Sequence, residues 1–167
     1  MIQNVTLQIR KATILLSAIS CLAVSTGAQA ATSNSTMAVS ANVQATCAIN
    51  ANPLAFGTYS SSQLDAATTI GVNCTNTTTY SVSLDTGSGT GATVAQRKMS
   101  NGAQTLTYTV YSDSARSALW GTTVNTNTVA GTGTGSSQLL NVYGRIPAGQ
   151  LPTPGAYSDT LTATITY

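Results

Sequence analysis

The clearest pattern along this chain is an alternation of apolar and polar positions. From Asp159 to Tyr167, the residues Leu161, Ala163, Ile165 and Tyr167 fall on one side and Thr160, Thr162, Thr164 and Thr166 on the other. Successive side chains of a strand point to opposite faces, so this segment reads as a half-buried strand. Tyr80 to Leu84 and Leu106 to Val110 alternate in the same way, and shorter strands are expected at 54–57, 70–74 and 139–143. Threonine and valine suit such a surface because their branched β-carbons lose little freedom there. Turn-forming clusters separate the runs at 87–91, 100–102, 131–135 and 152–155. Asn101-Gly102 is expected to form a two-residue hairpin turn, and 131–135 a flexible hairpin loop. No stretch has the length and period of a major helix, although 113–120 has room for one turn. Many short strands between regular turns predict an all-β antiparallel sandwich, in one domain without internal repeats.

A further alternation lies ahead of these strands. Met37, Val39, Ala41 and Val43 are interleaved with Ala38, Ser40, Asn42 and Gln44, giving one apolar and one mostly polar face. Such a strand either pairs inside its own domain or adds to an open sheet edge of another copy.

Residues 1–30 have the layout of a secretory signal: Arg10 and Lys11, an apolar run from Ala12 to Val24, and the small-residue site Ala28-Gln29-Ala30. The run is shorter than the roughly 20 residues that a membrane-spanning helix needs. Cleavage after Ala30 would leave 137 of the 167 residues, an ordinary single-domain size. Nothing later is continuously apolar, so export without membrane insertion is expected.

Beyond the signal, Arg97, Lys98, Arg116 and Arg145 balance Asp65, Asp85, Asp113 and Asp159, for a net charge of zero. This argues against nucleic-acid partners, which usually require a basic patch. The sequence has no histidine and no glutamate, which excludes Ser-His-Asp triads and histidine metal sites. No catalytic residue, metal or cofactor is expected. Cys47 and Cys74, in a chain bound for an oxidising compartment, are expected to form a disulfide.

Two motifs invite chemistry and have plainer readings. Asp85-Thr86-Gly87 follows an apolar strand as in aspartic proteases, but a dyad needs a second carboxylate and the segment reads as a strand-end turn. Trp120 with Tyr108, Tyr111 and Tyr143 offers a sugar-stacking platform, yet a chain with one phenylalanine needs these rings for its core.

A set of ordered motifs spans Cys47 to Tyr167: Cys47-Ala48-Ile49; Leu54, Phe56, Gly57 and Tyr59; Val72 and Cys74; and Leu106, Tyr108, Tyr111, Asp113 and Arg116 with Trp120-Gly121. Gly144 to Gly149 and Gly155, Tyr157, Asp159 and Leu161 complete it. Together they resemble the spore coat protein U domain family, which includes subunits of archaic chaperone–usher pili. The resemblance implies an incomplete immunoglobulin-like sandwich, completed by a donor strand from a neighbouring subunit. It also implies partners: identical or related pilin subunits, a periplasmic chaperone and an outer-membrane usher.

On that reading residues 31–46 are the donor extension, with Met37, Val39, Ala41 and Val43 as its inserting face. Residues 47–167 are the pilin domain. The last strand, with Leu161, Ala163, Ile165 and Tyr167, lines the acceptor groove, and the chain is expected to offer no following strand to fill it. The expected function is a non-enzymatic pilin that polymerises into surface pili for adhesion and biofilm formation. A monomeric spore-coat or envelope protein and a carbohydrate-binding module are the alternatives.

Overall fold

Alternating side chains need a core on one face only, and the chain meets this by stacking two antiparallel sheets. The computed structural model describes residues 27–167, so the expected n-region and apolar core of the signal lie outside the described residues. The chain divides into two units. In the first, Met1–Ser40, the described residues 27–40 form no helix or strand and all are exposed. The second, Ala41–Tyr167, carries eight strands and, among the described residues, no helix.

These strands are β1 (Cys47–Ala51), β2 (Leu64–Cys74), β3 (Thr79–Leu84), β4 (Arg97–Asn101), β5 (Gln104–Tyr111), β6 (Val129–Thr132), β7 (Ser137–Ile146) and β8 (Ala163–Thr166). One sheet has the order β1-β2-β7-β5-β4 and the other β6-β3-β8. The core lies between them. Ile70, Val72 and Cys74 of β2, Leu106, Tyr108 and Val110 of β5, and Val142 and Ile146 of β7 face Tyr80, Val82 and Leu84 of β3.

Four expectations shift in detail. Residues 54–57 form no strand; Leu54 and Phe56 instead reach over β7 at Gly144, where a Cβ would lie 2.6 Å from the Phe56 ring. The β4–β5 hairpin turns on Gly102-Ala103 rather than Asn101-Gly102, since Asn101 still pairs with Gln104. Gly102 supplies the positive φ, +58°, that the first turn position requires. Residues 131–135 form no hairpin loop. The first two end β6, and residues 133–136 carry the chain to β7 in the other sheet, pinned by the bonds Thr77 N–H to Gly133 O, Gly133 N–H to Thr78 O, and Gly135 N–H to Cys74 O.

Residues 113–120 also form no helical turn. The Asp113 carboxylate accepts from the N–H groups of Ser117 and Ala118 and from the Ser117 hydroxyl, while Arg116 takes a left-handed φ of 56°. A side chain that satisfies these donors locally removes the need for helical carbonyls.

The sandwich has two long seams, and one is stitched shut. Leu119-Trp120-Gly121 joins both sheets there: Trp120 N–H donates to Val110 O, Leu84 N–H donates to Gly121 O, and the indole N–H donates to Val82 O. The Arg97 side chain on edge strand β4 is fully buried in this seam. Its guanidinium donates to the carbonyls of Leu84, Asp85, Val94 and Trp120. Burial lowers the Arg97 pKa, opposed by Tyr108, Asp85 and Asp159.

Two outcomes follow for stability. Arg97→Met, which strands buried carbonyls, should lower the unfolding free energy in urea by about 3 kcal/mol or more. Arg97→Lys should not restore it, because an ammonium lacks the planar fork of donors. Replacing Cys47 and Cys74 by serine opens a disulfide between positions 27 apart, and urea unfolding should register a loss of about 3 to 4 kcal/mol.

Candidate functional site

The opposite seam lies between β1 and β8, the outer strands of the two sheets. Each uses one edge only: β1 pairs with β2 and β8 with β3, and no ladder joins β1 to β8. The register fixes their directions. Cys47 pairs with Cys74 at the end of β2, and a four-residue turn brings the chain from there to Thr79. On β3, Ser81 pairs with Thr166 and Leu84 with Ala163. Thus β1 runs away from the disulfide end while β8 runs toward it.

Along this seam lies a cavity of about 450 Å³. Its floor is the buried core itself, Ile70, Leu84, Tyr108 and Val142. Ala51 to Leu54 form one rim, and Leu161 and Ala163 the other. The Phe56 ring closes one side, edge-on to Tyr108 at 5.9 Å. Glycine at 144 is what admits Leu54 and Phe56 to this position. Elsewhere Cα atoms of β1 and β8 come within 8 Å of each other. A strand inserted between two others needs about twice the 4.8 Å strand spacing, so these edges must part to admit one.

The far end of the cavity is strapped by residues 157–162. Ser158 exchanges two backbone bonds with Ser100 of β4, at 2.8 and 3.1 Å. Asp159 then accepts from Ser88 N–H and Oγ at 2.7 Å each, from its neighbour Thr160 N–H at 2.8 Å, and from the Tyr108 hydroxyl at 2.7 Å. Desolvation pushes the Asp159 pKa up, but these donors outweigh it and hold the group below the usual carboxylate range. Tyr108 is driven far upward, by burial first and by Asp159 second.

The Asp85 carboxylate accepts from Gly87 and Thr162 N–H, tying the turn after β3 to the chain leading into β8. Asp85 and Asp159 each have their own backbone donors, and no hydrogen bond joins them among the described residues. The Asp-Thr-Gly segment is thus built as a turn. Trp120 is fully buried and Tyr108 nearly so, which leaves neither a face for a sugar. Tyr111 and Tyr143 pair across β5 and β7 on the outer face, with the Arg116 guanidinium 5.6 Å from the Tyr143 centroid.

Of the residues expected to line a groove, Leu161 and Ala163 border the cavity, and Ile165 packs against the core. Tyr167 lies beyond β8 and is 58% exposed, in a surface hollow beside Tyr80 and Gly131. Met37, Val39 and Val43 are exposed. Cys47 and Cys74 are bonded. Sequence reading did not single out Arg97 or the roles of Leu54, Phe56 and Asp159. A strand pattern gives no sign that one basic residue is buried, and Leu54 and Phe56 mimic a strand while lying across one.

The depressed Asp159 pKa sets a pH dependence. A carboxylate more acidic in the folded than in the unfolded chain contributes stability above its unfolded pKa, near 3.9, and loses it as pH falls through the folded value. The melting temperature should therefore drop on acidification below about pH 4. Asp159→Asn should melt lower at neutral pH and show a shallower acid limb, as read by circular dichroism.

Comparison with known proteins agrees with this architecture. The Spore Coat Protein U domain matches residues 33–164. Protein U of Myxococcus xanthus is 35% identical, in a match covering 68% of this chain and 71% of that protein. A chain in the crystal structure of the CsuC–CsuE chaperone–tip adhesion subunit pre-assembly complex, from archaic chaperone–usher Csu pili of Acinetobacter baumannii, has a similar fold. The TM-score is 0.58 at 21% identity, over 75% of this chain and 40% of that one. On its sequence match and its two-sheet antiparallel fold, the chain belongs to the Spore Coat Protein U domain family.

Proposed function

We propose that this protein is a non-catalytic pilin, exported through the periplasm and polymerised at the cell surface by donor-strand exchange. The observation that carries the reading is the unjoined seam between β1 and β8 over an apolar cavity. A sandwich with two unpaired edges beside an apolar cavity that reaches its core is a poor monomer and a good strand acceptor.

The segment TMAVSANV has the complementary form. Its apolar face, Met37, Val39, Ala41 and Val43, would enter the cavity of a neighbour, while its backbone pairs with both free edges. Each large side chain contributes about 1.5 to 3 kcal/mol on full burial. Such a head-to-tail contact does not close on itself, so repetition gives a fibre.

The Csu complex pairs a chaperone with a pilus subunit. By analogy, a periplasmic chaperone would fill the same seam of this chain before assembly, and an outer-membrane usher would receive the pair. Adhesion and biofilm formation are the roles such fibres would serve. Among the described residues no helix is long and apolar enough to cross a membrane.

The family's description as a spore coat domain leaves room for a second reading, a coat or envelope protein that works as a monomer. One comparison separates the two: the thermal melt of a chain lacking residues 31–45, with and without a synthetic peptide of those residues. The pilin reading expects a low or absent transition that the peptide restores. A stable transition indifferent to the peptide would leave the coat reading.

In the full chain, Val39→Asp or Val43→Asp should abolish detergent-resistant ladders on unboiled gels, while a chaperone complex still forms through the subunit's own groove. Normal ladders from both variants would remove the donor assignment.

A further inference from the structure

The donor segment and the acceptor seam belong to one chain, which raises a problem of competition. A short flexible tether holds a ligand at an effective concentration in the millimolar range, far above that of free neighbouring subunits. Unless geometry prevents it, each subunit would fill its own groove and no fibre would grow. Building on the pilin reading above, we infer that Thr75 is a positioning residue that prevents this self-insertion, by holding the base of the extension in line with β1.

The disulfide end of the molecule carries the argument. The β1–β2 ladder does not stop at Cys47–Cys74; Thr75 N–H donates to Thr46 O at 2.9 Å. The reciprocal bond of an antiparallel pair would run from Thr46 N–H to Thr75 O. That carbonyl is already engaged, accepting from Thr78 N–H at 3.1 Å to close the turn into β3. The Thr75 hydroxyl takes its place and accepts from Thr46 N–H at 3.2 Å. The hydroxyl is itself fixed by the Thr78 hydroxyl, 2.6 Å away. Val43 to Thr46 line a surface hollow together with Thr75 to Thr78.

Self-insertion needs the chain to reverse at this point. The extension leaves from the disulfide end, and β1 runs away from that end. To lie beside β1 in its own seam, the chain before Thr46 must fold back within a few residues. The tightest reversal, over Gln44-Ala45, is closed by Thr46 N–H donating to Val43 O. That N–H is the one the Thr75 hydroxyl engages, so clamp and reversal exclude each other. A looser reversal consumes Val43 and then Ala41, and shortens the inserting face.

The test uses the full chain at nanomolar concentration, where neighbours do not compete, titrated with a synthetic peptide of residues 31–45. The readout is the ratio of chains that refuse the peptide to chains that accept it. The V39D/V43D double variant, whose extension has no apolar face to insert, is the open-groove reference. Wild type should accept the peptide like this reference. Thr75→Val should raise the refusing-to-accepting ratio about 2- to 12-fold, the range set by one neutral hydrogen bond. Thr75→Ser, which keeps the hydroxyl, should behave as wild type. Inserting Gly-Gly between Ala45 and Thr46 supplies a reversal without touching the folded body and should raise the ratio further, which keeps the test decisive if Thr75→Val folds poorly.

Unchanged ratios in Thr75→Val and in the insertion variant would overturn the inference. So would a wild type that refuses a peptide the reference accepts, because its own extension would then already fill the seam. A peptide refused even by the reference would sink the groove reading itself, and this inference with it.

Discussion

Everything in this sandwich depends on the difference between its two seams, and that difference rests on a buried guanidinium. Arg97 leaves edge strand β4 and meets carbonyls at the end of β3, in the 94–97 segment and at Trp120. A buried cation is tolerated only when its donors are satisfied. Those carbonyls sit where a neighbouring strand would otherwise have to supply N–H groups. Arg97 and Trp120 thus do the work of a strand on that side. With the sheets fixed there, the β1–β8 seam has no such device.

Rigidity on one side shapes what the other side can do. The floor of the cavity belongs to the same core that Trp120 and Arg97 hold in place. Its rims are short strands and loop, namely β1, β8 and the segments 51–54 and 161–163. Because β1 and β8 have one hydrogen-bonded side each, they can separate without breaking a ladder between them. The disulfide limits that movement, since it anchors the first residue of β1 to β2. The Asp159 cluster and the Ser100–Ser158 pair anchor the approach to β8. Opening is thereby confined to the stretch between two fixed ends.

The outer face of the larger sheet carries much of the charge. Asp65 sits across from Arg145 and accepts from it at 2.7 and 2.8 Å, with Arg116 at 3.5 Å. The Arg145 bond, against some desolvation, lowers the Asp65 pKa. These groups are partly exposed, and such pairs contribute about 0 to 1 kcal/mol each. Their physical effect is to place paired charges on that face, away from the β1–β8 seam.

What could be read from the sequence was whatever depends on neighbours along the chain. Alternation marked β3, β5, β8 and parts of β2 and β7, because a two-residue period is local. The Asn-Gly pair marked the β4–β5 hairpin to within one residue, and the cysteines marked their own bond. Fold class and family followed from these. Where strands adjoin in space was beyond that reading. Nothing local shows that β1 and β8 end up side by side and unjoined, that Leu54 and Phe56 lie across β7 on Gly144, or that Thr75 lends its hydroxyl to Thr46. Nor does it reveal that one arginine of a neutral domain is buried. Those facts come from residues tens of positions apart meeting in the sandwich, and only the packing of the two sheets decided them.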